Sequence, residues 1–315
     1  MMMNWESPTT YSLNSVFMIS STDGWAVGYP GTIIHWNGTD WSNVTSPTTE
    51  DLWSVFMVGS NDGWAVGNAG IIIRWDGNNW RTFASPTNQP LRSVFMLSTV
   101  DGWALGWRGA MFHWDGSSWR NVATPTTQGF SSVFMTNATD GWAVGDYGTI
   151  IRWNGSSWNN VPSSTGHGLA SVFMTGSADG WAVGEDGIII HWDGSNWSNV
   201  TSPTTDILMS VFMVSPSDGW AVSAFGTIIH WDGTVWRNVT SPTTEFLNSV
   251  FMVGSNDGWA VGMGTIIRWT GTAWVSEFPV LLTLPLFVIA TLVTLKICRR
   301  PKRTKTGTSI VKFFH

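Results

Sequence analysis

The chain holds a single cysteine, so no internal disulfide is available and a disulfide-stapled scaffold is excluded. Charge is scarce: 11% of its 315 residues are Asp, Glu, Lys or Arg, against about 25% in a typical soluble protein. Lysine is missing altogether before Lys296. The scarcity of charge together with 24 Trp and 16 Phe excludes a charged disordered chain, which would be poor in aromatics. Residues that carry chemistry are also few, with six His and three Tyr. No stretch before residue 278 shows a helical apolar stripe, and the opening MMMNWESPTT lacks the charged-then-apolar pattern of a secretory leader.

The charge that is present is unevenly placed. Residues 1–275 hold 20 acids and eight Arg, a balance of −12, whereas residues 280–315 hold four Lys and three Arg and no acid. An acidic body repels phosphate backbones, so no nucleic-acid partner is expected.

What the sequence has in abundance is repetition. Ser-Val-Phe-Met begins at Ser15, Ser54, Ser93, Ser132, Ser171, Ser210 and Ser249, in steps of 39 residues. Asp-Gly-Trp-Ala follows at Asp23, Asp62, Asp101, Asp140, Asp179, Asp218 and Asp257. A His/Arg-Trp pair ends at Trp36, Trp75, Trp114, Trp153, Trp192, Trp231 and Trp269, and a further Trp recurs at 41, 80, 119, 158, 197, 236 and 274. Twenty-one of the 24 Trp thus sit at three fixed positions, leaving Trp5, Trp53 and Trp107 out of register.

Each copy contains four strand-like words separated by turn formers. In the fifth they are SVFMT (171–175), GWAVG (180–184), IIIHW (188–192) and WSNVT (197–201). Ser-Ala-Asp-Gly, Glu-Asp-Gly, Asp-Gly-Ser-Asn and Ser-Pro-Thr-Thr lie between and after them. Four short strands in each of seven copies predict an all-β, seven-bladed β-propeller of four-stranded antiparallel blades, which removes the exposed ends a linear β-helix would leave. The repeated Trp read as packing between blades, and the repeated Asp-Gly pairs as tight turns. The slot before the third-strand Trp reads His35, Arg74, His113, Arg152, His191, His230 and Arg268. No carboxylate stands at ligand-like spacing from it, so hydrogen bonding at the blade edge is expected there rather than a metal.

The run Gly-Trp-Ala-Val-Gly, then Gly-Thr-Ile-Ile, then Asp-Gly-x-x-Trp, clearest in residues 24–41, 141–158 and 180–197, resembles the repeats of the photosystem II stability/assembly factor family. Those repeats are related to the Asp-box (BNR) repeats of sialidase-like propellers. The resemblance covers about residues 12–275. It implies a propeller and, as one functional expectation, an assembly factor for a membrane complex. The Asp-turn here, Asp193-Gly194-Ser195-Asn196-Trp197, is one residue shorter than an Asp-box, with Trp192 before the Asp. The Trp-Asp pair is similar to that of WD40 repeats, whose Gly-His mark is missing.

Residues 278–295, FPVLLTLPLFVIATLVTL, are uncharged and long enough to cross a bilayer, and Arg299, Arg300, Lys302, Arg303 and Lys305 follow. The positive-inside rule then puts the C-terminus in the cytoplasm and the propeller outside. Ser276-Glu277-Phe278-Pro279 resembles the Pro-Glu-Phe sorting signals of archaeal surface proteins, with Ser276 in place of Pro. The expected division is residues 1–11 as a partial outer strand or truncated repeat, 12–275 as propeller, 276–298 as transmembrane anchor and 299–315 as basic tail. Because Ser7-Pro8-Thr9-Thr10 is in register with Ser46-Pro47-Thr48-Thr49, either earlier residues precede this start or the stub closes the ring.

Comparing the seven copies locates a variable face. The loops between second and third strands carry Tyr29, Trp107, Arg108, Asp146, Tyr147, Glu185, Asp186 and Phe225. The heads of the first strands carry Asn14, Trp53, Arg92, Ser131, Ala170, Met209 and Asn248. These loops and heads share one end of a propeller, and mixed aromatics and charges there suit a binding surface. The functional expectation is a monomeric, non-catalytic, membrane-anchored surface propeller that binds protein or glycan, without cofactor or metal. A sialidase-like hydrolase would need a nucleophile and acid drawn from Tyr147, Asp146 and Glu185. The arginines, however, sit in repeated slots rather than converging.

Overall fold

A computed structural model describes residues 8–277 of the chain. It contains seven four-stranded antiparallel sheets, each with its strands hydrogen-bonded in chain order. In the first blade these are β1 (Leu13–Ser20), β2 (Asp23–Gly28), β3 (Ile33–Trp36) and β4 (Trp41–Asn43). Every other blade repeats the pattern, the last with strands Leu247–Gly254, Asp257–Gly262, Thr265–Trp269 and Trp274–Ser276. The expected all-β seven-bladed propeller is therefore the fold. Among the described residues no helix is long and apolar enough to cross a membrane. The expected anchor over 278–295 and the basic tail lie outside the described residues.

The blade sequence explains the blade packing. Second strands such as β2 are buried along almost their whole length, because both faces of a central strand meet a neighbouring blade. The glycine of each Asp-Gly-Trp-Ala word leaves the space that the methionine thioether of the preceding word occupies. A Cβ on Gly24 would lie 2.3 Å from Met18 Sδ, and one on Gly141 would lie 2.2 Å from Met135 Sδ.

The repeated Trp form an interblade device. The second-strand Trp of one blade inserts between the third- and fourth-strand Trp of the next. Trp25 lies 4.8 Å from Trp75 and 5.5 Å, edge-on, from Trp80. The seam between the last blade and the first is built identically, with Trp259 at 4.7 Å from Trp36 and 5.4 Å from Trp41. Thirteen of these buried indole N–H groups have no hydrogen-bond acceptor. These indoles pack edge-to-face against their neighbours, as Trp64 does against Trp119 at 5.4 Å and 89°.

Two closed circuits run around the axis. Each Ser of Ser-Val-Phe-Met accepts a hydrogen bond from the Val N–H of the next blade: Val55 to Ser15 at 3.2 Å, and so on round to Val16 and Ser249 at 3.2 Å. Inside this circuit the seven Phe form an unbroken ring, from Phe17–Phe56 at 4.6 Å to Phe17–Phe251 at 4.9 Å. Ring closure thus uses no exchanged strand, since each sheet draws all four strands from one continuous segment. The stub contributes otherwise. Residues 8–11 form no strand, Ser12 bridges Met263, and Asn43 Nδ2 donates to the Pro8 carbonyl at 2.6 Å. Asn238 makes the same bond to Pro203, in the segment joining two blades, at 3.3 Å. The stub therefore stands where an interblade link stands elsewhere.

Candidate functional site: the variable face

The loops between second and third strands meet the interblade links at one end of the propeller. The backbone N–H of Tyr29 donates to Ser12 O, that of Asn68 to Asp51 O and that of Met263 to Phe246 O. Four of the loops are single tight turns: Asn68–Gly70, Trp107–Gly109, Asp146–Gly148 and Glu185–Gly187. Their central residues Ala69, Arg108, Tyr147 and Asp186 all adopt φ between 53° and 56°. That left-handed conformation is strained for residues with a Cβ, and it lifts each central side chain off the scaffold. Tyr147 is 76% exposed as a result.

The first-strand heads form a ring around the channel mouth. Asn14, Trp53, Arg92, Ser131, Ala170, Met209 and Asn248 line a shallow cup of about 150 Å³. Two members hold the scaffold together: Asn14 Nδ2 donates to Leu52 O and Asn248 Nδ2 to Leu13 O, both at 2.9 Å. Trp53 is anchored by Nε1 donating to Asn68 Oδ1 at 2.8 Å, and Asn68 in turn donates to Asp51 Oδ2 at 2.9 Å.

Beside the cup, a cleft of about 360 Å³ opens between the third and fourth blades. Arg92, Trp107 and Arg108 of the third blade, Gln128 and Gly129 of the link, and Asp146 and Tyr147 of the fourth blade line it. The Arg92 guanidinium lies over the Trp107 ring, 5.5 Å from its centroid. Around the ring, Glu185 accepts a hydrogen bond from the Gly168 N–H at 2.8 Å, and Asp186 meets His167 at 3.1 Å. Phe225 packs against Phe246 at 5.2 Å, and Tyr29 against Tyr11 at 6.0 Å.

Two properties distinguish this face. Among the described residues, the exposed aromatics Tyr11, Tyr29, Trp53, Trp107, Tyr147, Phe225 and Phe246 all lie on it. Of the eight described arginines, six pair with an aspartate, and the two without a carboxylate partner are Arg92 and Arg108. Guanidinium groups left open beside aromatic rings are disposed to meet an external anion or carbonyl.

Comparison of loops and strand heads alone omits a third set of face residues. Tyr11, Glu50, Gln89, Gln128, His167, Asp206 and Glu245 occupy one register position, just after Ser-Pro-Thr-Thr or its equivalent, and Phe246 and Ile207 share the next. The signal was available, since these positions vary between copies while the Ser-Pro-Thr-Thr word before them largely repeats.

The His/Arg slot lies away from this face and is structural. His35 Nε2 meets Asp23 Oδ1 at 2.8 Å, and Arg74 Nε donates to Asp62 Oδ1 at 2.8 Å, in a pattern kept in every blade. Each ring or guanidinium also covers the second-strand Trp, as His35 covers Trp25 at 4.3 Å. The aspartates of Asp-Gly-Trp-Ala are therefore partners of this slot as well as turn residues. Strand pairing joins residues 12 apart, or 11 in the last blade, a link that linear spacing conceals. Among the described residues no group of three or more His, Cys, Asp or Glu is placed to hold a metal ion.

The turns between third and fourth strands hold the most perturbed carboxylates. Backbone N–H donors, with Arg81, lower Asp76 from its usual value to about 2. The Ser195 hydroxyl and the N–H groups of Asn196 and Ser195 lower Asp193 to about 2. Arg120 and Ser117 hold Asp115, and Thr234 and Arg237 hold Asp232, well below the ordinary carboxylate range. At the far end of the last blade, burial pushes the Glu277 carboxyl up.

By sequence the chain matches no protein-family profile and no curated protein. By structure it is similar to solved propellers. One is described as YCF48 bound to D1 peptide, with a TM-score of 0.71, 18% identity, and 84% of this chain and 94% of that chain covered. YCF48 from Cyanidioschyzon merolae gives a TM-score of 0.69 at 18% identity over 84% and 97% of the two chains. The WD40 propeller domain of Doa1 gives 0.70 at 13% identity over 82% and 92%. At such identities the likeness establishes the fold: a seven-bladed propeller, a scaffold shared by YCF48 and WD40 proteins.

Proposed function

We propose that this chain is a non-catalytic, membrane-anchored propeller that holds a segment of a membrane-protein partner on its variable face, in the manner of an assembly or stability factor. The observation that carries this reading is the gathering of every described exposed aromatic and of the two unpaired arginines on one end of the scaffold. Aromatic and arginine side chains dominate the energetics of protein interfaces. The cleft between Trp107 and Tyr147 offers rings to a side chain, and Arg92 and Arg108 offer donors to a carboxylate or backbone carbonyl. A similarly folded protein, YCF48, has been seen with a D1 peptide bound, which favours a protein ligand over a glycan. The Glu185 carboxylate is held by the Gly168 N–H, and this suits binding better than turnover. The uncharged run 278–295 and the cations after it would hold the propeller outside the membrane with the tail in the cytoplasm.

The test is co-purification of the full chain after mild detergent extraction, compared with a Trp53→Ala, Arg92→Ala, Trp107→Ala triple variant. The expected result is an integral membrane protein retained by the parent and lost from the variant, with both chains folded. Retention by both chains would refute the face. Binding on a glycan array that the triple change abolishes, without any protein client, would turn the reading to a glycan receptor.

A further inference from the structure

The seven turns of the variable face follow two plans. Those of the second to fifth blades are the left-handed turns with Ala69, Arg108, Tyr147 and Asp186 at their tips. The other three belong to the sixth, seventh and first blades, which are neighbours across the ring closure. Each departs from the common plan in its own way. In the sixth, Ser223 replaces the glycine before the turn, and Phe225 sits at φ 122°. In the seventh, the turn is one residue shorter and Met263 stands alone between Gly262 and Gly264. In the first, Pro30 holds the central place, and its ring bars a positive φ. All three departures present an exposed apolar side chain, namely Phe225, Met263 and Tyr29.

The links divide along the same line. Their closing pairs read Glu50-Asp51, Gln89-Pro90, Gln128-Gly129 and His167-Gly168 before the second to fifth blades. Before the sixth, seventh and first blades they read Asp206-Ile207, Glu245-Phe246 and Tyr11-Ser12. Ile207, Phe246 and Tyr11 are exposed. Contacts tie the six apolar residues into one arc. Ile207 O accepts the Ala224 N–H at 3.0 Å, beside Phe225, and Phe225 packs on Phe246. Phe246 O accepts the Met263 N–H at 2.9 Å, Ser12 bridges Met263, and Tyr11 meets Tyr29 edge-on. A cleft of about 360 Å³ opens at each end of the arc, lined by Phe225 and Val239 at one and by Tyr11 and Val44 at the other. The arc is fringed with acid and carries no base. Asp206, Glu245 and Glu50, the last in the link that leaves the first blade, form no ion pair among the described residues. No Arg or His stands in the described links or turns of these three blades.

From the three irregular turns, the apolar links beside them and the acids around them, we infer that the arc across the sixth, seventh and first blades docks a polypeptide segment that carries lysine or arginine beside apolar side chains. The inference deepens the proposed function, resting on its choice of a protein ligand for this face and naming the chemistry of part of that ligand. Aromatic and methionine side chains gathered in one exposed strip are what protein interfaces bury. The acids supply the selection, because a segment with cations beside its apolar residues gains attraction where an acidic one meets repulsion. The same acids disfavour anionic lipid headgroups on the arc. The two halves of the face thus differ in preference, since the open guanidinium groups of Arg92 and Arg108 lie on the third blade.

The experiment uses the purified full chain in mild detergent and three fluorescent peptides of equal length, read by anisotropy. The first has leucine and phenylalanine at its centre and lysine at both ends. The second has glutamate in place of each lysine, and the third has serine in place of each apolar residue. The first is expected to bind at least about tenfold more tightly than either of the others. Phe225→Ser with Phe246→Ser should weaken it about tenfold. Asp206→Asn, Glu245→Gln and Glu50→Gln together, which leave the apolar strip intact, should close the gap between the lysine and glutamate peptides. Val100→Ser, at the opposite end, should change nothing. Equal binding of the three peptides, no binding, or binding unmoved by both sets of changes overturns the inference. Loss of the lysine peptide in the Trp53, Arg92, Trp107 triple variant but not in the arc variants overturns the arc and keeps the variable face. An arc that binds the peptide, in a chain that retains no membrane protein on co-purification, overturns the membrane-protein client and keeps the arc.

Discussion

Gly184 ends the second strand of the fifth blade, directly before the variable turn Glu185–Gly187. Its φ of −174° is extended backbone open to any residue, so a substitution there is resisted by packing rather than by torsion. A Cβ at this position would lie 2.0 Å from the Gly168 carbonyl oxygen and 2.9 Å from Leu169 Cα, both backbone atoms. That same carbonyl accepts the Glu185 N–H at 2.9 Å, so the link cannot retreat without stretching the bond that seats the loop. The molecule contains its own version of the change. In the sixth blade Ser223 takes the place of this glycine, and the following turn is built differently, with Phe225 at φ 122° in place of the usual value near 54°. Overpacking of this kind costs about 1–3 kcal/mol. At roughly 2–4 °C per kcal/mol for a domain of this size class, Gly184→Ala should lower the melting midpoint by several degrees. The control is Gly176→Ala, where a Cβ meets nothing within 4 Å, and which should stay within about 0.5 kcal/mol of the parent. Thermal melts followed by near-ultraviolet circular dichroism decide the matter. Identical midpoints for the two variants would refute the steric account of the repeated glycine.

The circuit of Ser–Val hydrogen bonds predicts that Ser249→Ala, at the closing seam, costs the same as Ser171→Ala within the ring. Each should cost about 1–2 kcal/mol from leaving a buried N–H unpaired, and a much larger or negligible effect at the seam in urea denaturation would show that closure works otherwise. The lowered carboxylates predict acid sensitivity. Their folded-state pKa values lie below the ordinary 3.8, so the stability they supply is full above that value and is lost as pH falls towards about 2. Asp76→Asn, Asp115→Asn, Asp193→Asn and Asp232→Asn combined should flatten the decline in melting midpoint between about pH 4 and pH 2, because Asn37 and Asn154 already build the same turn with a neutral amide. Parallel curves for parent and variant would contradict it. Trp64→Ala, which empties the centre of an interblade Trp triad, should cost about 3–5 kcal/mol, while Trp107→Ala on the rim should leave the midpoint within about 0.5 kcal/mol.

Blade number, strand order and the variable end were legible because the repeat makes the chain its own alignment. Positions that recur, such as Trp25 and Trp64, belong to packing, and positions that drift, such as Trp107 and Tyr147, belong to the surface. What could not be read was anything that depends on which strands, and which copies, touch. The pairing of Asp23 with His35 follows from the register of β2 against β3, and the insertion of Trp25 between Trp75 and Trp80 follows from blade stacking. Neither is visible as a spacing along one copy. The role of the stub was likewise open, since Pro8 and Thr10 match a link in sequence, yet only the bond from Asn43 shows them doing a link's work. On the face, the arginines Arg92 and Arg108 stood out by position, but their lack of a carboxylate partner emerged only when the other six were seen to be paired.

The central claim is that one end of this propeller carries its function. Its most direct test is a photo-crosslinking amino acid placed at Tyr147 or at Val100 in the full chain, irradiated in membranes of the cells that make it. The account predicts a discrete protein adduct from position 147, absent when Trp53, Arg92 and Trp107 are also changed, and none from position 100. Adducts of equal yield from both positions, or from position 100 alone, would contradict it.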